Sequence, residues 1–257
     1  MYFRILSTLL IISSLLITNI TNATEPTYIV GAGGTYRPFE YENSKKQLEG
    51  FDIDIIKAIA EAENFNIQLI NTPWESIFAS LKNGERDIVI SGITITDKRK
   101  TSVDFSLPYF PAEQVIVTQK PSKISSITDL AKYTIGVVNG STADIVVSKI
   151  LGKNSTAIKR FDNTPLLLQE LYEEGLDAAV GDVGVVKFYI KMNPDKDFDL
   201  IYDNHFEQQY FGIAVAKGNL ELQNKLNTGL KMIVSNGTYA KIYQKWFDNN
   251  VPTLPIQ

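Results

Sequence analysis

The 257-residue sequence has no cysteine and one histidine, His205. Those two absences remove several functions at once. No disulfide can form, no lipid can be attached to a cysteine, and no thiolate can act as nucleophile or metal ligand. A lone histidine with scattered carboxylates makes no metal set, and it gives Ser91 no credible partner for a serine-nucleophile arrangement. Neither a metal nor a cofactor is expected. No block of Lys or Arg is present, and 25 basic residues stand against 29 acidic ones for a net charge of −4. This balance disfavours nucleic acid as a partner. Repeats and low-complexity tracts are missing as well.

Long hydrophobic runs are also missing beyond the N-terminus. Residues 1–23 carry only Arg4 as charge, residues 5–17 are apolar, and Thr21, Asn22 and Ala23 offer a small-residue cleavage site. The apolar run is shorter than the roughly 18 to 20 residues that span a bilayer, so it reads as a secretory signal peptide. The mature chain is expected to start near Thr24. An exported chain without cysteine points to a bacterial periplasm.

The whole sequence is 44% hydrophobic, and beyond residue 23 it alternates short apolar strands with amphipathic helices. This pattern predicts an α/β class with mixed, mostly parallel sheets flanked by helices. Residues 28–32 read as the first strand. The glycines at 31, 33 and 34 suggest a dinucleotide loop, but Tyr36 occupies the place of the last glycine and no helix follows directly, which excludes it. Residues 36–40 then form a rigid turn whose Tyr36 ring either packs in the core or stands at the strand edge. In the helix from residue 51, Asp52 and Asp54 point to different sides and are read as caps for its first turn. Trp74 opens a further helix after Pro73, as core or as pocket wall.

The central stretch runs from Ser91 to Arg99. It follows the β-branched strand 87–90, so Ser91 and Gly92 fall at the C-terminal edge where open α/β sheets bind ligands. Gly92 permits close approach of the main chain, Thr94 adds a hydroxyl, and Arg99 supplies a planar fork suited to a carboxylate. In the second half, strand 134–138 leads through a turn at Ser141 and Thr142 into a helix, an N-terminus that either is simply capped or faces an anion. Asp182 ends the buried strand 176–181 and either caps the next helix or faces a cleft. The apolar runs 114–118 and 210–216 are read as two crossings between lobes. Lobe 1 is expected to comprise residues 24–112 and 210–257, and lobe 2 residues 113–209.

Taken together, the segments Gly50-Phe51-Asp52-Ile53-Asp54, Gly92-Ile93-Thr94-Ile95-Thr96-Asp97-Lys98-Arg99, Asn236-Gly237-Thr238-Tyr239 and Lys245-Trp246-Phe247 resemble the periplasmic amino-acid-binding proteins of ABC importers. The resemblance covers essentially the whole mature chain and is nearest to the glutamine binders. It implies a monomer of two closing lobes that delivers an amino acid to a membrane permease. Carried over, Arg99 with the Thr94 and Thr142 amides would hold the ligand α-carboxylate. Asp182, the Thr94 hydroxyl and the Gly92 carbonyl would hold the α-ammonium, and Tyr36 and Trp74 would flank the side chain. Two polar readers of that side chain are absent: Gly33 stands where the family often has Asp, and Val138 where glutamine binders have Lys. With no charge at either position, an uncharged ligand such as glutamine is expected. The alternative is an enzyme resembling cyclohexadienyl dehydratases, which would need a general acid in the cleft.

Overall fold

The computed structural model describes residues 25–256; the expected leader and its cleavage site lie outside them. Two five-stranded sheets form two lobes. The first is ordered Asn66–Asn71, Thr27–Ala32, Ile88–Val89, Ala214–Ala216, Val103–Phe105. The second is ordered Ile158–Phe161, Ile135–Val138, Ala178–Asp182, Gln114–Gln119, Phe198–Ile201. In each sheet three strands run parallel and a fourth, Ala214–Ala216 or Gln114–Gln119, runs against both of its neighbours. Helices cover both sheets, so the inner parallel strands Ile88–Val89 and Ile135–Val138 are largely buried, as their β-branched sequences require.

The crossings differ in part from the sequence reading: residues 210 and 211 do lie in a crossing strand, whereas 114–118 do not. Gln114–Gln119 is not a crossing segment but an inner strand of the second sheet, and Ala214–Ala216 belongs to the first. A separate antiparallel pair, Phe110–Ala112 with Gln209–Phe211, joins the lobes. The physical reason is burial: Val115, Ile116 and Val117 are at most 1% exposed, and a segment so apolar is placed where both faces are covered.

The crossover is rooted in the first lobe by aromatic packing. Phe39 lies 4.8 Å from Phe110, 5.3 Å from Phe211 and 5.4 Å from Phe247, centroid to centroid. These are separations at which edge-to-face pairs are favourable beyond the area they bury. The Phe51–Ala62 helix packs into the same core through Phe51, Ile55, Ile56 and Ile59. Its entry demands glycine: Gly50 has φ 138°, and a Cβ there would meet the Phe39 carbonyl oxygen at 2.0 Å. Asp54 does not cap this helix. Its Oδ2 accepts from Lys245 Nζ and Trp246 Nε1, each at 2.7 Å, and so ties the C-terminal helix Thr238–Trp246 to it.

Candidate functional site

Tyr36, Trp74, Gly92, Thr94, Arg99, Thr142 and Asp182 all line one cavity of about 330 Å³ between the lobes. A volume of this order suits a small ligand. Most of them stand at or just past the C-terminal end of a sheet strand, where the strand fixes their position.

From the first lobe, Gly92 has φ 51° and its amide donates to Asp52 Oδ2 at 2.8 Å. A Cβ on Gly92 would stand 2.6 Å from the Tyr36 ring, so glycine serves both the turn and the close packing. Arg99 sits in the short helix Asp97–Lys100, and its Nη1 donates to the Thr94 carbonyl at 2.9 Å. The guanidinium also lies 5.2 Å from the Trp74 ring. Burial lowers its pKa to about 10, against the opposing pull of Asp182, and the group stays charged.

From the second lobe, Asp182 ends the Ala178–Asp182 strand and makes no side-chain cap for the helix that follows. Its carboxylate faces the cavity instead, accepting from Gln114 Nε2 at 2.7 Å and from the Tyr36 hydroxyl. Burial pushes its pKa up to about 6, with Tyr36, Arg99 and Gln114 pulling the other way. Thr142 begins the Thr142–Leu151 helix, whose cap is the neighbouring Ser141: its Oγ accepts from the Asp144 amide at 3.1 Å. Thr142 is thereby released from capping.

Side-chain hydrogen bonds at the cavity cross between the lobes. Besides Tyr36 with Asp182, Trp74 Nε1 donates to the Asn139 carbonyl at 3.0 Å and Arg99 Nη2 to the Gly140 carbonyl at 3.4 Å. The lobes are closed on the cavity.

Sequence reasoning missed three groups. Gln114, read as part of a crossing strand, is 2% exposed and reaches both Thr142 Oγ1 at 3.2 Å and Asp182. Asp52 is no helix cap: fully buried, it accepts from the Gly92 amide and from the Tyr109 hydroxyl at 2.8 Å. Ser91, set aside as incidental, accepts from the Gly33 amide at 3.1 Å and donates to Glu40 Oε1 at 2.6 Å. Glu40 is itself fully buried and lines the cavity. Burial first, and the Asp52 charge second, raise the Glu40 pKa well above the carboxylate range, while burial raises Asp52 to about 6. Besides Asp182, the cavity wall therefore carries a further carboxyl, Glu40, which the sequence did not place there. Gly33 and Val138 do line the cavity, whereas His205 is an exposed side chain paired with Asp203.

A family model described as "Bacterial extracellular solute-binding proteins, family 3" matches residues 28–249. A probable histidine-binding protein of Neisseria gonorrhoeae is 45% identical over 221 residues, covering 86% of this chain and 82% of the relative. Among solved structures, the arginine-, lysine-, histidine-binding protein ArtJ of Geobacillus stearothermophilus superposes with a TM-score of 0.82 at 40% identity, over 86% of this chain and 95% of ArtJ. An ancestral arginine-binding protein bound to arginine gives the same TM-score, 0.82, and the same identity, 40%, over 87% of this chain and 99% of that one. All three are described as binding proteins rather than as enzymes. None of the three is named for glutamine, and the nearness to glutamine binders expected from sequence finds no support in them.

Proposed function

The chain belongs to the bacterial extracellular solute-binding proteins, family 3, and from that premise we propose that it is the periplasmic amino-acid-binding component of an ABC importer with a basic amino acid as ligand. The observation that carries this reading is the opposition of charges across the closed cavity, with Arg99 on the first lobe and Asp182 on the second. A zwitterion leaving water needs both charges paired, because an unpaired buried ion costs several kcal/mol. Arg99 with the Thr94 and Thr142 amides takes the α-carboxylate, and Asp182, the Thr94 hydroxyl and the Gly92 carbonyl take the α-ammonium. Tyr36 and Trp74 cover the faces of the side chain. Since the two charges sit on different lobes, binding and closure become one event, and the closed form is what a permease reads. The Phe110–Ala112 and Gln209–Phe211 pair serves as the hinge.

The choice of a basic ligand over glutamine rests on Glu40 in the cavity wall together with the ligands named for the relatives. Thermal unfolding in the presence of each amino acid tests it, since ligand at a thousandfold above Kd adds about 4 kcal/mol of stability, roughly 10 °C for a chain of this size. Arginine, lysine or histidine is expected to give the largest shift, ahead of glutamine and citrulline. A larger shift with glutamine overturns the choice of ligand class; no shift with any amino acid overturns the reading itself.

A further inference from the structure

The indole N–H of Trp74 has no part in the ligand contacts proposed above, where only its ring covers the side chain. That N–H is nevertheless bonded, donating across the cleft to the Asn139 carbonyl of the second lobe at 3.0 Å. The other side-chain hydrogen bonds named above as crossing at the cavity engage groups that the ligand claims. Tyr36 donates to the Asp182 carboxylate, and Arg99 gives a guanidinium nitrogen to the Gly140 carbonyl. A ligand competes with those two contacts and leaves the Trp74 contact alone.

Both ends of this contact are held from within their own lobe. Trp74 opens the short turn Trp74–Ser76, and its ring meets the Phe78 ring edge-on at 5.8 Å, centroid to centroid. The Arg99 guanidinium lies 5.2 Å from the Trp74 ring and 5.3 Å from that of Phe78, so two rings and a cation of the first lobe fix the indole. On the second lobe, Asn139 stands in the turn between the Ile135–Val138 strand and the Thr142–Leu151 helix. The amides of this turn are bonded inward: Asn139 to the Phe161 carbonyl at 2.9 Å, Gly140 to Asp144 Oδ2 at 3.0 Å and Ser141 to the Val138 carbonyl at 3.1 Å. Asp144 is buried, and its Oδ1 accepts from Ser148 Oγ and Arg160 Nε, each at 3.0 Å. The turn is braced from behind, and it offers the Asn139 and Gly140 carbonyls to the first lobe.

We propose that Trp74 is the latch of lobe closure, a positioning residue whose N–H bond to Asn139 stabilises the closed form by the same amount whatever side chain is bound. The inference rests on the amino-acid-binding reading above. A hydrogen bond that spans the lobes is made only when they are closed; with the lobes apart, water takes both partners. Its net worth enters the closing equilibrium, and because ligand binding and closure are linked, it enters the affinity of each ligand as a common factor. Stacking on the ligand acts differently, since its contribution follows the area and charge of the side chain covered. The N–H and the ring face of one residue serve affinity and selectivity separately.

Replacing Trp74 with 3-benzothienylalanine, which keeps the bicyclic ring and carries sulfur in place of the N–H, isolates the latch. Calorimetry with arginine, lysine and histidine should show Kd raised about 3- to 10-fold, by factors that agree within twofold among the ligands the unmodified protein binds. Stopped-flow measurements should place the change in dissociation, because the contact forms after the ligand has entered. A rise in Kd below twofold, factors that differ more than twofold between ligands, or a change carried by association overturns the inference and leaves the amino-acid-binding reading standing. Failure of the unmodified protein to bind any amino acid removes both.

Discussion

Gln114 donates through Nε2 to Asp182 Oδ1 at 2.7 Å and reaches Thr142 Oγ1 at 3.2 Å, so one amide joins the acid at the end of one strand to the first residue of a helix on the same lobe. The arrangement presents an ammonium acceptor and a helix N-terminus as a single rigid face. Gln114→Leu keeps the volume but removes the donor, and a hydrogen bond to a charged group contributes about 1.5 to 3 kcal/mol. Ligand affinity should fall roughly 10- to 100-fold, with the fold intact by circular dichroism. A change under threefold in calorimetry would show that Asp182 is positioned by Tyr36 alone.

Arg99→Ala removes the charge assigned to the α-carboxylate. Leaving a buried carboxylate unpaired costs roughly 3 to 5 kcal/mol, or about a hundred- to several-thousand-fold in Kd. The ligand-free protein should keep its stability, since Arg99 forms no ion pair in its own lobe and contacts the Thr94 and Gly140 carbonyls. A loss of binding under tenfold would take Arg99 out of the site.

How much of this was legible in the sequence follows from distance along the chain. Seven of the residues lining the cavity could be found because they lie near the ends of strands whose apolar runs are visible locally, and position at a strand end is nearly position at the cleft. Their supports could not. Asp52 binds an amide 40 residues away, Ser91 a carboxyl 51 away, and Gln114 an acid 68 away, and nothing in the local pattern distinguishes such an Asp from a helix cap or such a Gln from the polar start of a strand. The crossing strands were misplaced for a related reason. The apolar run 114–118 gives a strand, but only its partners show that it lies inside a sheet.

Asp182 predicts a pH dependence. Its pKa in the folded chain is raised to about 6 by burial, above the roughly 3.9 of an unfolded Asp. The folded state therefore binds the extra proton between these values. The stability this group contributes is fully present below about pH 4 and is lost as pH rises through about 6, a total on the order of 3 kcal/mol. Ligand-free unmodified protein should lose stability over this window relative to Asp182→Asn in denaturant titrations at a series of pH values. Parallel curves for the two proteins would place the raised pKa elsewhere.

The last prediction separates closure from folding. Gly184, in the Val183–Met192 helix of the second lobe, faces Phe39 of the first, and a Cβ added there would stand 3.2 Å from two atoms of the Phe39 ring. That is too close unless the ring gives way. Phe39 cannot yield easily, being fully buried and held against Phe51, Phe110, Phe211 and Phe247. The contact lies between lobes, so a wedge at this point opposes the closed arrangement. Within its helix the substitution is favourable, since alanine exceeds glycine in helix propensity by up to about 1 kcal/mol. Gly184→Ala should therefore leave the unfolding midpoint of the ligand-free protein unchanged or slightly higher while ligand Kd rises several-fold to about tenfold, the equivalent of up to about 1.4 kcal/mol. Small-angle scattering at saturating ligand should still show compaction, reached at higher ligand concentration. Equal affinity in the two proteins would mean that the Phe39 ring moves freely at the lobe boundary; a lowered midpoint without ligand would mean that the lobes are already held together through this contact before any ligand binds.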